Sequence, residues 1–358
     1  MASTTTPKCQ LAIFNSHSYD RQFITAAQEA RNISSSPTNI ELTFHDFPLS
    51  KDTAALAAGA TAVCAFVNDD LSGPILESLH ESGVRAILLR CAGFNNVDLD
   101  KARELGLFVA NVPSYSPEAV AEFAVALIQT LNRKTHRAFN RVREGNFNLD
   151  GLLGKTLHGK TVGVYGTGRI GVALGRILHG FGCTILAYDP VENAEFKKYG
   201  TYTDLDALLA SSDFISLHCP LMPQTKHIIN EATLNKMKPG AMLVNTSRGA
   251  LIDTKSVIQA LKDRQLGGLA LDVYEGESQI FYKDHGNQII EDDELMRLMT
   301  FPNVIVCGHQ AFFTEEALTE IAESTLKNLE DFVEGRPCNN SLIKDTPSRR
   351  ESMPVRNV

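Results

Sequence analysis

The stretch from Lys160 to Pro190, KTVGVYGTGRIGVALGRILHGFGCTILAYDP, constrains the fold more than any other part of the chain. A short apolar run leads into Gly166, Gly168 and Gly171, spaced as G-x-G-x-x-G. A helical pattern follows at once, with Ile170, Leu174, Ile177, Leu178 and Phe181 on one face. A second short strand, Thr184 to Tyr188, then ends on Asp189. Glycines at this spacing also suit an ordinary strand–turn–helix with a crowded backbone. The strand, the helix and the terminal acid together point instead to a dinucleotide site. Gly166 is expected to allow the tight turn, Gly168 to let the backbone approach a pyrophosphate, and Gly171 to let helix and strand pack closely. The helix N-terminus offers unpaired N–H groups and a positive dipole end to the phosphates. Asp189, eighteen residues beyond Gly171, is placed to accept hydrogen bonds from ribose hydroxyls. A carboxylate there repels a 2′-phosphate, so the expected cofactor is NAD (NADH) rather than NADP.

At 358 residues the chain has room for about two domains of ~150 residues each. A composition of 43% apolar and 21% charged residues is that of a soluble globular protein. The net charge of −8 argues against nucleic acid as a partner. No run approaches the ~18 apolar residues of a membrane span, and MASTTTPK lacks the apolar core of a secretory signal, so no membrane partner is expected. The seven cysteines are scattered, odd in number and without a C-x-x-C pair. They read as reduced thiols in a cytoplasmic protein, with no metal site.

The first hundred residues alternate strand and helix, with strands expected at Leu11–Asn15, Ile40–Phe44, Thr61–Val67, Val84–Leu89 and Phe108–Ala110. Helices are expected near 19–31, 74–82 and 99–105. Such alternation implies a parallel sheet covered on both faces. A long helix opens at Pro117, with Ser116 as the expected N-cap, and a basic, solvated helix end runs from Arg133 to Arg143. Beyond the glycine-rich unit, strands are expected at Phe214–His218, Met242–Asn245, Leu269–Val273 and Val304–Val306, with helices near 204–211, 230–237 and 253–264. With the two strands of the glycine-rich unit these approach a six-stranded doubly wound sheet. Gly276–Thr300 reads as a long loop with a short helix near its end, and Glu315–Val333 as a final amphipathic helix returning to the first unit. The polar tail, 344–358, is expected to be disordered.

In open parallel sheets functional residues collect in loops beyond the carboxyl ends of strands. Four such loops carry unusual residues. NTSRGALID places Arg248 just after a strand. LDVYEGES puts Asp272 at a strand end and Glu277 five residues on. CGHQAFFT presents His309 after the last strand, and LRCAGFNNVDLD forms a small-residue turn at Cys91–Ala92–Gly93. Arg248 alone also suits a helix cap or an ion pair, Asp272 a strand-end cap, and Cys91 and Cys219 plain packing. Glu275, two residues before Glu277, competes for its place, and the spacing from Asp272 favours Glu277. His218, in SLHCP, is the next candidate histidine and reads as a buried or cofactor-edge residue.

RCAGFNNVDLD, VPSYSPEAVAEF, GTGRIG, SLHCPL, VNTSRGALID, DVYEGES and GHQAFFTEEAL follow in order the pattern of the D-isomer-specific 2-hydroxyacid dehydrogenases. The resemblance covers residues 11 to 343. DVYEGESQIFYKD, the long insert before the histidine and GHQAF most resemble the D-lactate dehydrogenase branch of that family.

The resemblance implies an enzyme that reduces a small 2-oxo acid to a D-2-hydroxy acid with NADH, pyruvate to D-lactate in the branch it resembles. His309 would give the proton to the keto oxygen, as a histidine near its ordinary pKa can. Glu277 would orient that histidine and favour its imidazolium. Arg248 would grip the substrate carboxylate and keto oxygen with its planar fork, and the backbone of Ala92 and Gly93 would hold the carboxylate from the other domain. Tyr115 and Phe312, with Phe66, would shape the pocket. The resemblance also assigns Arg169 and Ile170 to the pyrophosphate turn, and Cys219, Pro220 and Thr225 to the adenosine side. Thr246, Ser247, Arg248 and Asp272 fall near the nicotinamide, with Asp272 on the carboxamide.

The implied fold is α/β, with two doubly wound parallel-sheet domains and an interdomain cleft. Residues 1–114 with 311–343 would form a flavodoxin-like substrate domain, and 115–310 a Rossmann NAD-binding domain. Relatives pair through the long helix and its neighbours, so a homodimer is expected. Two other readings stand beside this one: a reductase of a bulkier 2-oxo acid (phenylpyruvate, 2-oxoisovalerate or hydroxypyruvate), and an NAD(H)-sensing binding protein of the corepressor kind. The full Arg248, Glu277 and His309 set does not exclude the binding protein, since such proteins can retain those residues. The absence of long interaction segments and the D-lactate-branch motifs favour the enzyme.

Overall fold

The computed structural model describes residues 8–33 and 38–343; the tail beyond lies outside the described residues. The chain divides into two compact units, one running through Ser116 and resuming at Thr314, the other spanning Pro117–Phe313.

The first unit is an alternation of strand and helix: β1 (Lys8–Ile13), α1 (Ser18–Ile33), β2 (Asn39–Phe44), β3 (Ala62–Ala65), α2 (Gly73–Glu81), β4 (Ala86–Leu89), α3 (Leu99–Glu104) and β5 (Phe108–Ala110). The strands form one parallel sheet in the order β2-β1-β3-β4-β5, the flavodoxin-like arrangement. β3 and β4 are buried at every position, which is why they read as unbroken apolar runs rather than alternating ones.

The second unit opens with α4 (Pro117–Arg133) and α5 (Thr135–Arg143). Lys134 separates them in a left-handed conformation, φ 53°, and α5 has no buried residue, in keeping with its charge. Ser116 does not behave as the expected cap. Its φ is 24°, and its N–H donates to the Glu320 carboxylate at 2.9 Å. There follow β6 (Thr161–Tyr165), α6 (Arg169–Gly180), β7 (Thr184–Tyr188), β8 (Thr201–Tyr202), α7 (Leu205–Ser211), β9 (Phe214–Leu217), α8 (Glu231–Leu234), β10 (Ala241–Asn245), α9 (Thr254–Lys262), β11 (Leu266–Leu271), α10 (Asp293–Met299) and β12 (Val304–Val306). The sheet has seven parallel strands, in the order β12-β11-β10-β9-β6-β7-β8. The strand beyond the expected six is β8, a two-residue edge paired to β7, too short to leave a periodic signal.

One face of this sheet packs Val162, Val164, Phe214, Val244 and Ala270 against apolar residues of α4 and α6. The other packs Ile215, Leu217, Leu243, Leu269 and Leu271 against α7, α9 and α10. Strand order reverses at β6, so the loops after β6 and β9 diverge and leave room at the carboxyl ends. The last helix, α11 (Glu315–Glu334), belongs to the first unit. There Phe332 meets Phe108 with ring centroids 5.1 Å apart, and Asn328 donates to the Asn111 carbonyl at 2.9 Å. Among the described residues no helix is long and apolar enough to cross a membrane.

Candidate active site

Three glycines shape the turn after β6, each for a different reason. Gly166 has φ 99°, and a Cβ there would lie 2.6 Å from the Cys219 nitrogen. Gly171 brings the start of α6 onto the strand end; its Cβ would fall 2.1 Å from the Gly166 oxygen. Gly168 has neither constraint. Its φ is −64° and nothing lies within 4 Å of where a Cβ would stand. Nothing among the described residues asks for a glycine at that position, whereas a closely approaching pyrophosphate would. The exposed Arg169 side chain and the half-buried Ile170 begin α6 beside that open space.

Asp189 is held in place by the same turn. One carboxylate oxygen accepts the Thr167 N–H at 2.8 Å and the Thr167 hydroxyl at 3.2 Å; the other accepts the Val191 N–H at 3.0 Å. Tyr202, on the edge strand β8, donates its hydroxyl to Thr167 Oγ1 at 2.7 Å, and Asn193 donates to the Thr167 carbonyl. Sequence reading missed this support, since Tyr202 stands thirty-five residues from Thr167.

Beyond β9, Cys219 is buried and its thiol is pushed up to about 12 by burial, so it stays protonated and inert. The Thr225 hydroxyl closes its own loop, donating to the Pro220 carbonyl at 2.7 Å and accepting the Met222 N–H. Ser247 reaches across to the Cys219 carbonyl at 2.6 Å. Two polar atoms in this region are enclosed without a partner among the described residues: Thr246 Oγ1 and His218 Nδ1. In register β9 and β10 place Leu217 opposite Asn245, so His218 and Thr246 are neighbours just past the strand ends. Unsatisfied buried polar groups are costly, and hydroxyl and amide groups of a dinucleotide would satisfy them. His218 Nε2 meets Ser216 Oγ at 2.7 Å, and burial lowers the ring's pKa to about 4, keeping it neutral. The residues present fit NAD.

Around His309 the chain draws on distant segments. His309 sits in a left-handed conformation, φ 57°, with its N–H donating to the Asp272 carbonyl at 2.7 Å. Its Nδ1 lies 2.9 Å from Glu277 Oε1, leaving Nε2 without a protein partner among the described residues. Glu277 is fixed in turn, since its Oε2 accepts the Tyr274 N–H at 2.8 Å. Glu275, the competing acid, pairs with His227 instead. Asp272 is fully buried, and its carboxylate accepts the N–H groups of Gln310 and Ala311 at 2.8 and 2.9 Å. Burial raises its pKa, and those two donors only partly oppose the shift. Its visible work is thus to hold the turn that carries His309. Tyr282, from the insert, donates to the His309 carbonyl at 3.0 Å; no local signal in the sequence marks it.

Arg248 follows β10 in a turn shaped by Asn245, whose side chain donates to the Arg248 carbonyl and accepts the Ser247 N–H. Its guanidinium donates to the Ser247 carbonyl at 2.7 Å. The adjoining Gly249 is pressed against the Tyr274–Glu275 peptide; a Cβ there would stand 2.1 Å from the Tyr274 carbonyl carbon. The fold therefore ties Arg248, Glu277 and His309 to one end of one sheet. Phe312 is buried in the same unit, edge-on to Phe313.

The remaining expected residues belong to the first unit. The turn at Ala92 and Gly93 is braced by Asn111, which donates to the Ala92 carbonyl at 2.8 Å, and by the Cys91 thiol on the Gly93 carbonyl. Phe66 is buried beneath the Arg90 guanidinium, 4.9 Å from its ring centroid, and Tyr115 is half-buried.

A parallel sheet with a glycine-rich turn at its switch point, an acid ending the second strand and a histidine–carboxylate pair are the features of an NAD-binding oxidoreductase. Residues 125–311 match the NAD-binding domain of the D-isomer-specific 2-hydroxyacid dehydrogenases. The chain belongs to that family and is a D-2-hydroxyacid dehydrogenase. It is 65% identical over 336 residues to 2-hydroxyacid dehydrogenase A of Aspergillus oryzae, covering 94% of this chain and 96% of the relative. It is 64% identical over 344 residues to D-lactate dehydrogenase kk1H of Curvularia clavata, covering 96% and 98%. The solved apo-structure of D-lactate dehydrogenase from Escherichia coli superposes with a TM-score of 0.85 at 50% identity, covering 93% of this chain and all of that one.

Proposed function

We propose that this dehydrogenase is a D-lactate dehydrogenase that reduces pyruvate, with His309 as the proton donor. The observation that carries the reading is the 2.9 Å contact between His309 Nδ1 and Glu277 Oε1. A histidine held by one nitrogen presents the other in a fixed direction, which is what a proton donor to a keto oxygen needs. NADH, when bound, supplies the hydride. As the keto carbon is reduced, His309 Nε2 gives its proton to the keto oxygen and recovers one from solvent; in the reverse direction it takes the hydroxyl proton. Arg248 offers two parallel donors to the substrate carboxylate. The names of the Curvularia and Escherichia relatives support pyruvate as the acid.

The test is NADH oxidation with a panel running from glyoxylate and pyruvate through 2-oxoisovalerate to phenylpyruvate. Pyruvate should lead in kcat/KM. A branched or aromatic acid in the lead would refute the lactate assignment and turn attention to Phe66, Tyr115 and Phe312.

A second copy of the chain is the proposed partner. On α5 and the segment after it, Phe139, Phe147, Leu149 and Leu153 are between 61% and 89% exposed, an apolar group of the kind that marks an interface. Sedimentation should give a dimer, and Leu149→Glu with Leu153→Glu should weaken it; a monomeric native protein would refute the pairing. Seven free cysteines suit a reducing, cytoplasmic setting.

A further inference from the structure

A second histidine–carboxylate contact lies at the same end of the sheet, and the reaction as proposed does not use it. His227 Nε2 stands 2.7 Å from Glu275 Oε1, with the two side chains 36% and 35% exposed. The backbone of His227 has φ 51°, a conformation disfavoured for any residue but glycine and tolerated where the surroundings impose it. What imposes it is a seam to the turn that carries Arg248. The His227 N–H donates to the Ala250 carbonyl at 2.9 Å, the Ile229 N–H to Leu251 at 3.1 Å, and Asp253 returns a bond to Ile229 at 2.8 Å.

Glu275 belongs to the other segment, which holds Glu277 through the Tyr274 N–H and, through Glu277, His309. The two segments touch where Gly249 meets the Tyr274–Glu275 peptide. His227 is thus bound by its backbone to one segment and by its ring to the other. Among the described residues the Arg248 guanidinium donates only to its own neighbour, Ser247, so the turn decides where it points. A displacement of about 1 Å in such a group can cost up to two orders of magnitude in rate.

We propose that His227 and Glu275 form a clamp that fixes the Arg248 turn against the Glu277 segment, which makes both of them positioning residues for recognition of the substrate carboxylate. The inference rests on the dehydrogenase reading above and on the role that reading gives Arg248. A half-exposed side-chain contact of this kind contributes little to stability, so the clamp shows itself in geometry rather than in melting temperature.

The test uses the full chain and compares pyruvate with its neutral methyl ester in His227→Asn, Glu275→Ala and the double variant. Asn keeps the left-handed backbone but is too short to reach Glu275. The expected result is a loss of roughly five- to tenfold in kcat/KM for pyruvate, mainly through KM, with less than about twofold for the ester. The double variant should be no worse than either single one, and NADH binding followed by fluorescence should not move. Equal losses on acid and ester, no loss, or losses that multiply in the double variant would each overturn the clamp. Arg248→Lys separates the two levels. If it abolishes the preference for acid over ester while the clamp variants keep it, the clamp alone is wrong. If it keeps that preference, the role of Arg248 fails and the clamp with it. Should His227→Asn not fold, Glu275→Ala, which has no such backbone strain, carries the test.

Discussion

Between Tyr165 and Asp189 the second unit builds the proposed cofactor subsite mostly from one continuous stretch, whereas around His309 it draws on strand ends and loops far apart in the chain. In the first region the turn, the helix start and the acid are fixed by local backbone geometry, with Gly166 at φ 99° and Gly171 packed on the Gly166 oxygen. In the second, His309 depends on Asp272 for its turn, on Glu277 for its ring and on Tyr282 for its carbonyl. A subsite made by one stretch tolerates change elsewhere; one assembled from several fails when any of its supports is lost. Four measurements press on this contrast.

The largest effect is expected at the assembled end. His309→Gln should lower kcat on the order of a thousandfold while NADH still quenches or gains fluorescence at the same concentration. Substantial remaining turnover would remove the proton-donor role. At the continuous end, two glycines should behave in opposite ways. Gly171→Ala forces a Cβ against the backbone and should cost more than about 3 kcal/mol of stability. Gly168→Ala, with open space around it, should leave the melting temperature alone and weaken NADH about tenfold. Equal behaviour of the two would erase the distinction between a packing glycine and a cofactor glycine.

His218 gives a smaller effect, visible in pH dependence. Its folded pKa of about 4 lies below the ordinary 6.5, because burial disfavours the charged ring. Between those values the unfolded chain binds the extra proton, so stability falls as pH is lowered through 6.5 toward 4, by on the order of 2–3 kcal/mol from this group. His218→Gln should flatten that part of the unfolding-versus-pH curve relative to the native protein; parallel curves would show that the ring is not held neutral. Smallest of the four, Asp189→Ser should raise the NADPH-to-NADH ratio of kcat/KM at least about tenfold by removing a like charge from the 2′-phosphate. An unchanged ratio would mean that cofactor choice lies elsewhere.

The order of these effects follows what could be read from residues alone. The glycine spacing, the apolar strands and the acid at Asp189 are local patterns, and local patterns determine a strand–turn–helix and the class of ligand it takes. The same holds for the alternation that makes both sheets parallel, because a fully buried strand must be apolar throughout. Arg248, His309 and Asp272 could be placed at strand ends by their motifs, and the resemblance named their roles. Only the tertiary structure decided that Glu277 and not Glu275 faces His309, that Asp272 spends its carboxylate on the turn after His309, and that Tyr202 on the edge strand β8 supports Asp189 through Thr167. Glu275 and Glu277 are the same residue type two positions apart, so the spacing from Asp272 favours Glu277 without excluding its neighbour. What separates them is the path of the Tyr274–Glu277 turn, set by a backbone N–H bonded to one carboxylate and a neighbouring loop that brings His227 to the other. Such choices depend on which distant segments the sheet brings side by side, and no local pattern carries that information.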